Sequence, residues 1–372
     1  MNILSKTYHN YLKKLVSSLV PKDQIKNYVI FKNTLAYSED VQDEVQLTYK
    51  KSKTDTRVLV IFFNFLWKPF IDFIQFFRNS NAKKQNSEPN WLSKDDLSNL
   101  FYLENFEKIR EGNKLSIFAY QIYRPIIKPN KKYSVSIIVP ARNESGNING
   151  LLSKIPKLGG RIEVIFVEGH SKDDTYQKIR NEIKNNKRKD LKAFVYKQKS
   201  LGKNDAVKLG FSKAKNDVLM ILDADLTVPP QELIKFFNVI TDNKADLVIG
   251  TRLVYPMEKQ AMRLLNYFGN KFFSLVFSYI IDQKIKDTLC GTKVLLRKNY
   301  EIIKRNQKYF GDFDPFGDFD LIFGSARLNF KIAEIPIRYR QRTYGETNIS
   351  RFKHGLLLFK MALVGLLKLK FR

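Results

Sequence analysis

The sequence predicts an α/β fold with a mostly parallel central sheet, and three features of residues 135–251 carry that expectation. Apolar runs of strand length recur: "VSIIVP" (135–140), "IEVIFVE" (162–168), "LKAFVYK" (191–197), "DVLMILD" (217–223) and "ADLVIGT" (245–251). Helical stretches such as "TYQKIRNEI" and "NDAVKLGFSKA" separate them, and that alternation builds a parallel sheet with helices on both faces. Polar and charged residues follow the runs at their carboxyl ends, the edge where open α/β sheets bind ligands.

The preceding residues are organised differently, and no glycine occurs before Gly112. "RVLVIFFNF" (57–65) predicts a buried strand and "PFIDFIQFF" (69–77) a helix facing a core. Asn64, Lys68, Pro69, Asp72 and Gln75 argue against a membrane span over 58–77. A polar loop (79–90) precedes a helix over 93–106, with Ser93 as N-cap and Leu97, Leu100 and Leu103 at helical spacing. "KPNKKYS" (128–134) is the linker where the pattern changes, which predicts segments 1–130, 131–350 and 351–372.

Composition narrows the function classes. With 372 residues, 44% hydrophobic and 13% aromatic, the chain has ample core and is not a disordered protein. One cysteine, Cys290, excludes a disulfide framework and a Cys-based zinc site, and His9, His170 and His354 are too scattered for a metal cluster. Residues 1–20 carry Lys6, His9, Lys13 and Lys14 and lack the apolar stretch of a secretory signal, so a cytoplasmic location is expected. The formal net charge of +28 points to anionic partners or to solvated lysine, and no recognisable nucleic-acid-binding motif accompanies it. "RFKHGLLLFKMALVGLLKLKFR" (351–372) carries six Lys or Arg and no acid, and its uncharged stretches are shorter than the about 20 residues that span a bilayer. It predicts a basic amphipathic helix, lying in a membrane interface or packed on the domain, or both. Residues 263–281 carry large apolar side chains around much of a second helix.

The chemistry concentrates at "MILDADLTVPP" (220–230), where Asp223 and Asp225 close an apolar run. Two neighbouring carboxylates repel unless a cation lies between them, and oxygen ligands suit Mg²⁺ or Mn²⁺. Taken alone, such a pair is also what a capped βα loop contains. The other predicted strand ends add to it. Arg142-Asn143-Glu144 follows the first strand, Glu168 ends the second, Gly202 and Lys203 open a helix suited to a phosphate, and Arg252 follows the fifth strand. Together they make an edge that can hold a base, a ribose, a diphosphate and a metal.

From about residue 133 to the end, the chain resembles the family 2 glycosyltransferases of the GT-A fold, and among them the dolichol- or polyprenyl-phosphate sugar synthases. The resemblance rests on "SIIVPARNE", "VEGHSKDDT", "LGKNDAVKLGF", "ILDADLTVPP", "IGTRL", "GNKFFSLVFS", "KDTLCGTKVLLR" and "RTYGETNISR", in that order. It implies that Asp223 and Asp225 hold the metal–diphosphate, and that Pro140, Ala141, Glu144 and Glu168 line the nucleobase and ribose pocket with Lys203 beside it. Arg252 and Arg342 would meet phosphate groups, and Asp287, Lys293, Asp318 and Asp320 would border the sugar and acceptor cleft. Three departures stand out: Glu168-Gly169 where two acids are common, Thr227 where a Gln is common, and Thr347-Asn348 in place of a Ser-Lys pair, with Arg351 or Lys353 as possible substitutes.

The resemblance implies an inverting, metal-dependent transfer of a sugar from a nucleotide-diphosphate donor to a polyprenyl phosphate at the inner face of a membrane. A lipid phosphate is already ionised; a hydroxyl of a glycan or glycolipid, the alternative acceptor, would need Asp318 or Asp320 as base. A third reading is an inactive polyanion-binding protein that keeps the fold. The first 130 residues resemble the later portion of a class I S-adenosylmethionine methyltransferase without its glycine-rich cofactor turn. They predict a small α/β remnant, with no S-adenosylmethionine bound.

Overall fold

The computed structural model describes residues 2–64, 67, 70, 90, 92–112, 116–255, 264–306, 319–342, 344 and 351–370. The chain divides into two compact units, Met1–Lys128 and Pro129–Arg372, with the division at the start of the sequence-predicted linker. The helix expected over 69–77 lies outside the described residues, Phe70 excepted.

Unit 1 is an α/β unit built on four strands. β1 (Tyr28–Lys32) pairs in parallel with β2 (Arg57–Phe63), while β4 (Phe118–Pro125) runs antiparallel to both β2 and β3 (Phe106–Gly112), giving the order β1-β2-β4-β3. Helix α1 (Asn2–Leu19) places Leu12 and Leu19 among Leu59, Ile61 and Ile122, and α2 (Val41–Lys51) contributes Val45 to the opposite layer. Helix α3 (Lys94–Leu103) starts at the predicted Ser93 N-cap, which forms a reciprocal capping box with Asp96. Its buried face is Leu97 and Phe101, four residues apart, and Phe101 stacks on Tyr123 at 4.1 Å. Leu103, expected on that face, is exposed, because the helix ends there and its last residue turns away from the sheet.

Unit 2 contains a seven-stranded sheet in the order β11-β9-β10-β8-β5-β6-β7. Its five expected strands are β5 (Val135–Ala141), β6 (Ile162–Glu168), β7 (Leu191–Lys197), β8 (Val218–Ile221) and β9 (Leu247–Thr251). β8 stops short of Asp217 and Asp223, leaving both carboxylates off the ladder. Two strands went unforeseen. β11 (Ile332–Pro336) joins β9 in parallel, and β10 (Lys293–Leu296) inserts antiparallel between β8 and β9, so the sheet is mixed. β10 is four residues long and follows directly on a motif loop, too short to leave a strand pattern.

Residues alternate between the two faces of this sheet. Ile137 and Val139 of β5 pack with Ile148, Leu151 and Leu152 from the short helices α4 (Ser145–Ile148) and α5 (Leu151–Lys154). Ile179 of α6 (Thr175–Lys184) and Phe236 and Ile240 of α8 (Leu233–Thr241) complete that layer. Ile138 turns to the other face, toward α7 (Lys203–Lys213), where Gly210 comes so close that a Cβ would stand 2.5 Å from its side chain. The same layer takes Tyr300 of α10 (Arg297–Arg305), Phe273 and Phe277 of α9 (Leu264–Ile281), Phe319 and Phe323 of α11 (Phe319–Arg327), and Leu358 and Met361 of α12 (Arg351–Gly365). Each fully buried side chain of this size contributes roughly 1.5–3 kcal/mol, so α9 and α12 are integral to the domain.

Both helices are also apolar on the side facing away from the core. Phe272, Leu275 and Tyr279 of α9 and Leu356, Phe359 and Leu363 of α12 are exposed, and Phe359 touches both Phe272 and Phe273. Residues 351–370 thus form a packed helical segment that keeps an exposed apolar face. No described helix is long and apolar enough to cross a membrane.

Candidate active site

The parallel strands deliver their ends to one edge. β5 ends in Pro140 and Ala141, and Ala141 lies in register with Glu168 at the end of β6. Glu168 is buried, and its Oε1 accepts the Ser171 backbone N–H at 2.6 Å, so it shapes the turn into α6. His170 sits in that turn with φ 59° and faces the Ser200 carbonyl, as a turn residue does.

After β8 the chain makes a tight turn, closed by Leu226 N–H on the Asp223 carbonyl, with Leu226 itself at φ 53°. A left-handed conformation at a branched residue costs roughly 1–2 kcal/mol, and here it presents Asp223 and Asp225 together. Asp225 Oδ1 is fixed by the Thr227 N–H and hydroxyl at 3.1 and 2.8 Å, which directs Oδ2 outward. Oδ2 accepts Arg342 Nη2 at 2.6 Å, and Asp223 Oδ1 meets Lys203 Nζ at 2.6 Å. Burial raises the Asp223 carboxyl, but Lys203, Lys293 and Arg252 outweigh it and hold the group below its ordinary value.

Arg342 also reaches Glu144 Oε1 at 3.4 Å. Burial pushes Glu144 up to about 7, against the pull of Asn147, whose Nδ2 donates at 2.6 Å, and of Arg342. The segment carrying Arg342 leaves β11 and runs along the edge. Ile337 N–H donates to Thr251 and Arg340 N–H to Thr227, and the Tyr344 hydroxyl donates to Asp173 and contacts Ser145. The ring of Tyr344 lies over Gly146, where a Cβ would be 2.5 Å from it. Asp173 and Tyr344 were not singled out from the sequence: Asp173 accepts the Ser145 N–H across two separate turns, and only the segment returning after β11 brings Tyr344 to Ser145.

Arg252 and Asp287 form a buried fork, with Nε and Nη2 donating to the two carboxylate oxygens at 2.7 and 2.8 Å. Burial raises the Asp287 carboxyl, yet the Arg252 pair more than compensates and holds it at about 2. In this state both residues brace the end of β9 against the loop before β10. Lys293 is buried on β10 and donates to the Cys290 carbonyl. Asp320, in the first turn of α11, pairs with Lys208 of α7 at 3.3 Å. Asp318 lies outside the described residues, as do Thr347 and Asn348.

No group of three or more His, Cys, Asp or Glu side chains is placed to hold a metal among the described residues. Two adjacent carboxylates remain, and that donor set fits Mg²⁺ or Mn²⁺, which take one or two carboxylates and complete their shell with phosphate oxygens and water.

Residues 136–303 match the sequence model of the Glycosyl transferase family 2. Unit 2 contains a family 2 glycosyltransferase domain. The GT-A fold expected from the motifs agrees with this assignment and with the largely parallel sheet. The chain is similar to a dolichyl-phosphate hexose transferase of Haloferax volcanii, at 28% identity over 227 residues, covering 61% of this chain and 91% of the relative. It is similar to a dolichol-phosphate mannosyltransferase of Pyrococcus furiosus at 34% identity over 220 residues, covering 58% of this chain and 59% of that one. Among solved structures, glucosyl-3-phosphoglycerate synthase of Mycobacterium tuberculosis superposes with a TM-score of 0.46 at 16% identity, over 64% of this chain and 80% of that chain. The glycosyltransferase domain begins one residue into β5, and unit 1 lies wholly outside the matched region.

Proposed function

We propose that this glycosyltransferase moves a sugar from a nucleotide-diphosphate donor to a polyprenyl phosphate, with Mg²⁺ or Mn²⁺ held by Asp223 and Asp225. The observation that carries the reading is the pairing of each carboxylate with a cation, Lys203 on Asp223 and Arg342 on Asp225. A bound divalent ion would supply Lewis-acid stabilisation of the departing diphosphate. Lys203 and Arg342 would bind the diphosphate oxygens and stabilise the charge that develops on them. Pro140, Ala141, Glu144 and Glu168 would border the base and ribose at the ends of β5 and β6.

An ionised acceptor phosphate attacks without a general base, which suits an edge whose histidine, His170, is a turn residue. Asp320 is engaged by Lys208, so it could serve as base for a hydroxyl acceptor, the second reading, only with that pair open. The relatives named for dolichyl-phosphate transfer support the first. The exposed faces of α9 and α12, with Lys271, Lys360 and Lys368 beside them, support peripheral attachment to the cytoplasmic face of a membrane.

For unit 1 we infer a cofactor-free, methyltransferase-like remnant that provides packing or a partner surface. Its support is the lack of any glycine before Gly112, since a cofactor turn requires backbone that side chains would obstruct. Saturable micromolar binding of S-adenosylmethionine would contradict it.

The test of the main proposal is nucleotide release from a panel of GDP- and UDP-sugars with Mg²⁺ or Mn²⁺, with and without a polyprenyl phosphate. Release should require one donor, the lipid and Asp225, and Asp225→Asn should abolish it. Donor-specific release indifferent to the lipid would favour a hydroxyl acceptor.

A further inference from the structure

Gly291 lies directly against the Asp223 carboxylate. A Cβ built on it would stand 2.0 Å from Asp223 Oδ2 and 2.4 Å from Lys203 Nζ, inside any real contact distance. The Asp223–Lys203 pair therefore seats on bare backbone. The loop bearing Gly291 is anchored four residues earlier by Asp287, whose carboxylate accepts three donors from Arg252, at Nε, Nη2 and the backbone N–H, and a fourth from the Leu289 N–H.

A fifth donor comes from α9, where Asn270 Nδ2 reaches Asp287 Oδ1 at 3.0 Å. Asn270 is 4% exposed, and its own Oδ1 has no hydrogen-bond partner among the described residues. Burying an amide with one end unsatisfied is unfavourable, so packing alone is a poor account of an asparagine at this position. On a helix it shares its face with Phe273, Phe277 and Ile281, all buried, opposite the exposed Phe272, Leu275 and Tyr279.

We propose that Asn270 and Gly291 are positioning residues for the transfer reaction. Asn270 fixes Asp287 and hence the loop, and the bare Cα of Gly291 sets where Asp223 and Lys203 meet the metal–diphosphate. The inference rests on reading Asp223 as part of the diphosphate seat.

The test is calorimetric titration of the full-length protein with UDP and GDP in the presence of Mn²⁺, alongside donor and acceptor KM values. Gly291→Ala should weaken nucleotide affinity by at least roughly 10-fold, equivalent to about 1.4 kcal/mol. Asn270→Leu keeps the volume and removes the donor; it should weaken affinity by about 3- to 10-fold. The donor KM should rise in both variants while the acceptor KM and the far-UV circular dichroism stay unchanged. Should Gly291→Ala fail to fold, Asn270→Leu carries the test. Wild-type affinity in both folded variants, or a matching rise in both KM values, would overturn the proposal alone. A wild-type protein that binds neither nucleotide would overturn the diphosphate-seat reading and this inference together.

Discussion

Arg342 spans two carboxylates, donating from Nη2 to Asp225 at 2.6 Å while Nη1 reaches Glu144 at 3.4 Å. One guanidinium thus links the turn after β8 to the loop after β5. It can hold both because the strap after β11 is pinned by backbone bonds to Thr251 and Thr227 before it arrives.

Replacing Arg342 tests whether that guanidinium serves the reaction. Arg342→Ala should lower kcat/KM for the donor by about 10²- to 10³-fold, the usual loss when a charge-stabilising donor is removed. Arg342→Lys should recover only part of it, because an ammonium lacks the planar fork that reaches two partners. Steady-state nucleotide release measures both, and an alanine variant within about threefold of wild type would exclude the role.

Glu144 gives the site a pH signature. Burial raises its carboxyl from 4.5 to about 7 in the folded protein. For a raised acid, the stabilising contribution is complete below the unfolded value and is lost as pH rises through the folded one. The melting temperature of the metal-free protein should therefore fall between about pH 5 and pH 8 relative to that of Glu144→Gln, with the two profiles diverging through that window. Parallel profiles would show that Glu144 does not titrate there.

Cys290 should be inert in the native state. It is buried, and burial with the Asp287 charge pushes its thiol up to about 11. Thiolate is the reactive form, so a maleimide at neutral pH should label the protein only after denaturation. Stoichiometric labelling of the folded protein would show that the loop before β10 opens.

The exposed apolar faces can be tested without touching the core. Leu275 is 72% exposed and Leu356 75% exposed. Leu275→Glu with Leu356→Glu should leave the melting temperature within a few degrees of wild type, since surface changes are usually within about 0.5 kcal/mol. The same pair should remove most binding to anionic vesicles in a sedimentation assay, and unaltered binding would place the membrane contact elsewhere.

Much of this was legible in the sequence because period and position carry it. The runs at 135–140, 162–168 and 191–197 became strands almost residue for residue, and their polar ends became one edge. Asp223, Asp225, Glu144, Lys203 and Arg342 were named from motifs, and the fold pairs Asp223 with Lys203 and both Asp225 and Glu144 with Arg342. What stayed hidden depends on contacts distant in sequence. β10 has only four residues, and its antiparallel placement follows from strand pairing that no local pattern encodes. Arg252 and Asp287 were expected at phosphates and sugar; their pairing with each other joins residues 35 positions apart, which no local pattern encodes. Gly291 reads as an ordinary loop glycine until Asp223 is seen against it.

Transfer of the sugar to a lipid phosphate is the step we propose. The most direct measurement is to incubate the protein with a labelled nucleotide sugar, a divalent cation and a polyprenyl phosphate, and to determine where the label goes. Transfer to the lipid phosphate should put label in an organic-extractable product that mild acid releases as free sugar, absent when Asp225→Asn is used. Label that appears only in an acid-stable glycoside, formed equally without the lipid phosphate, would contradict it.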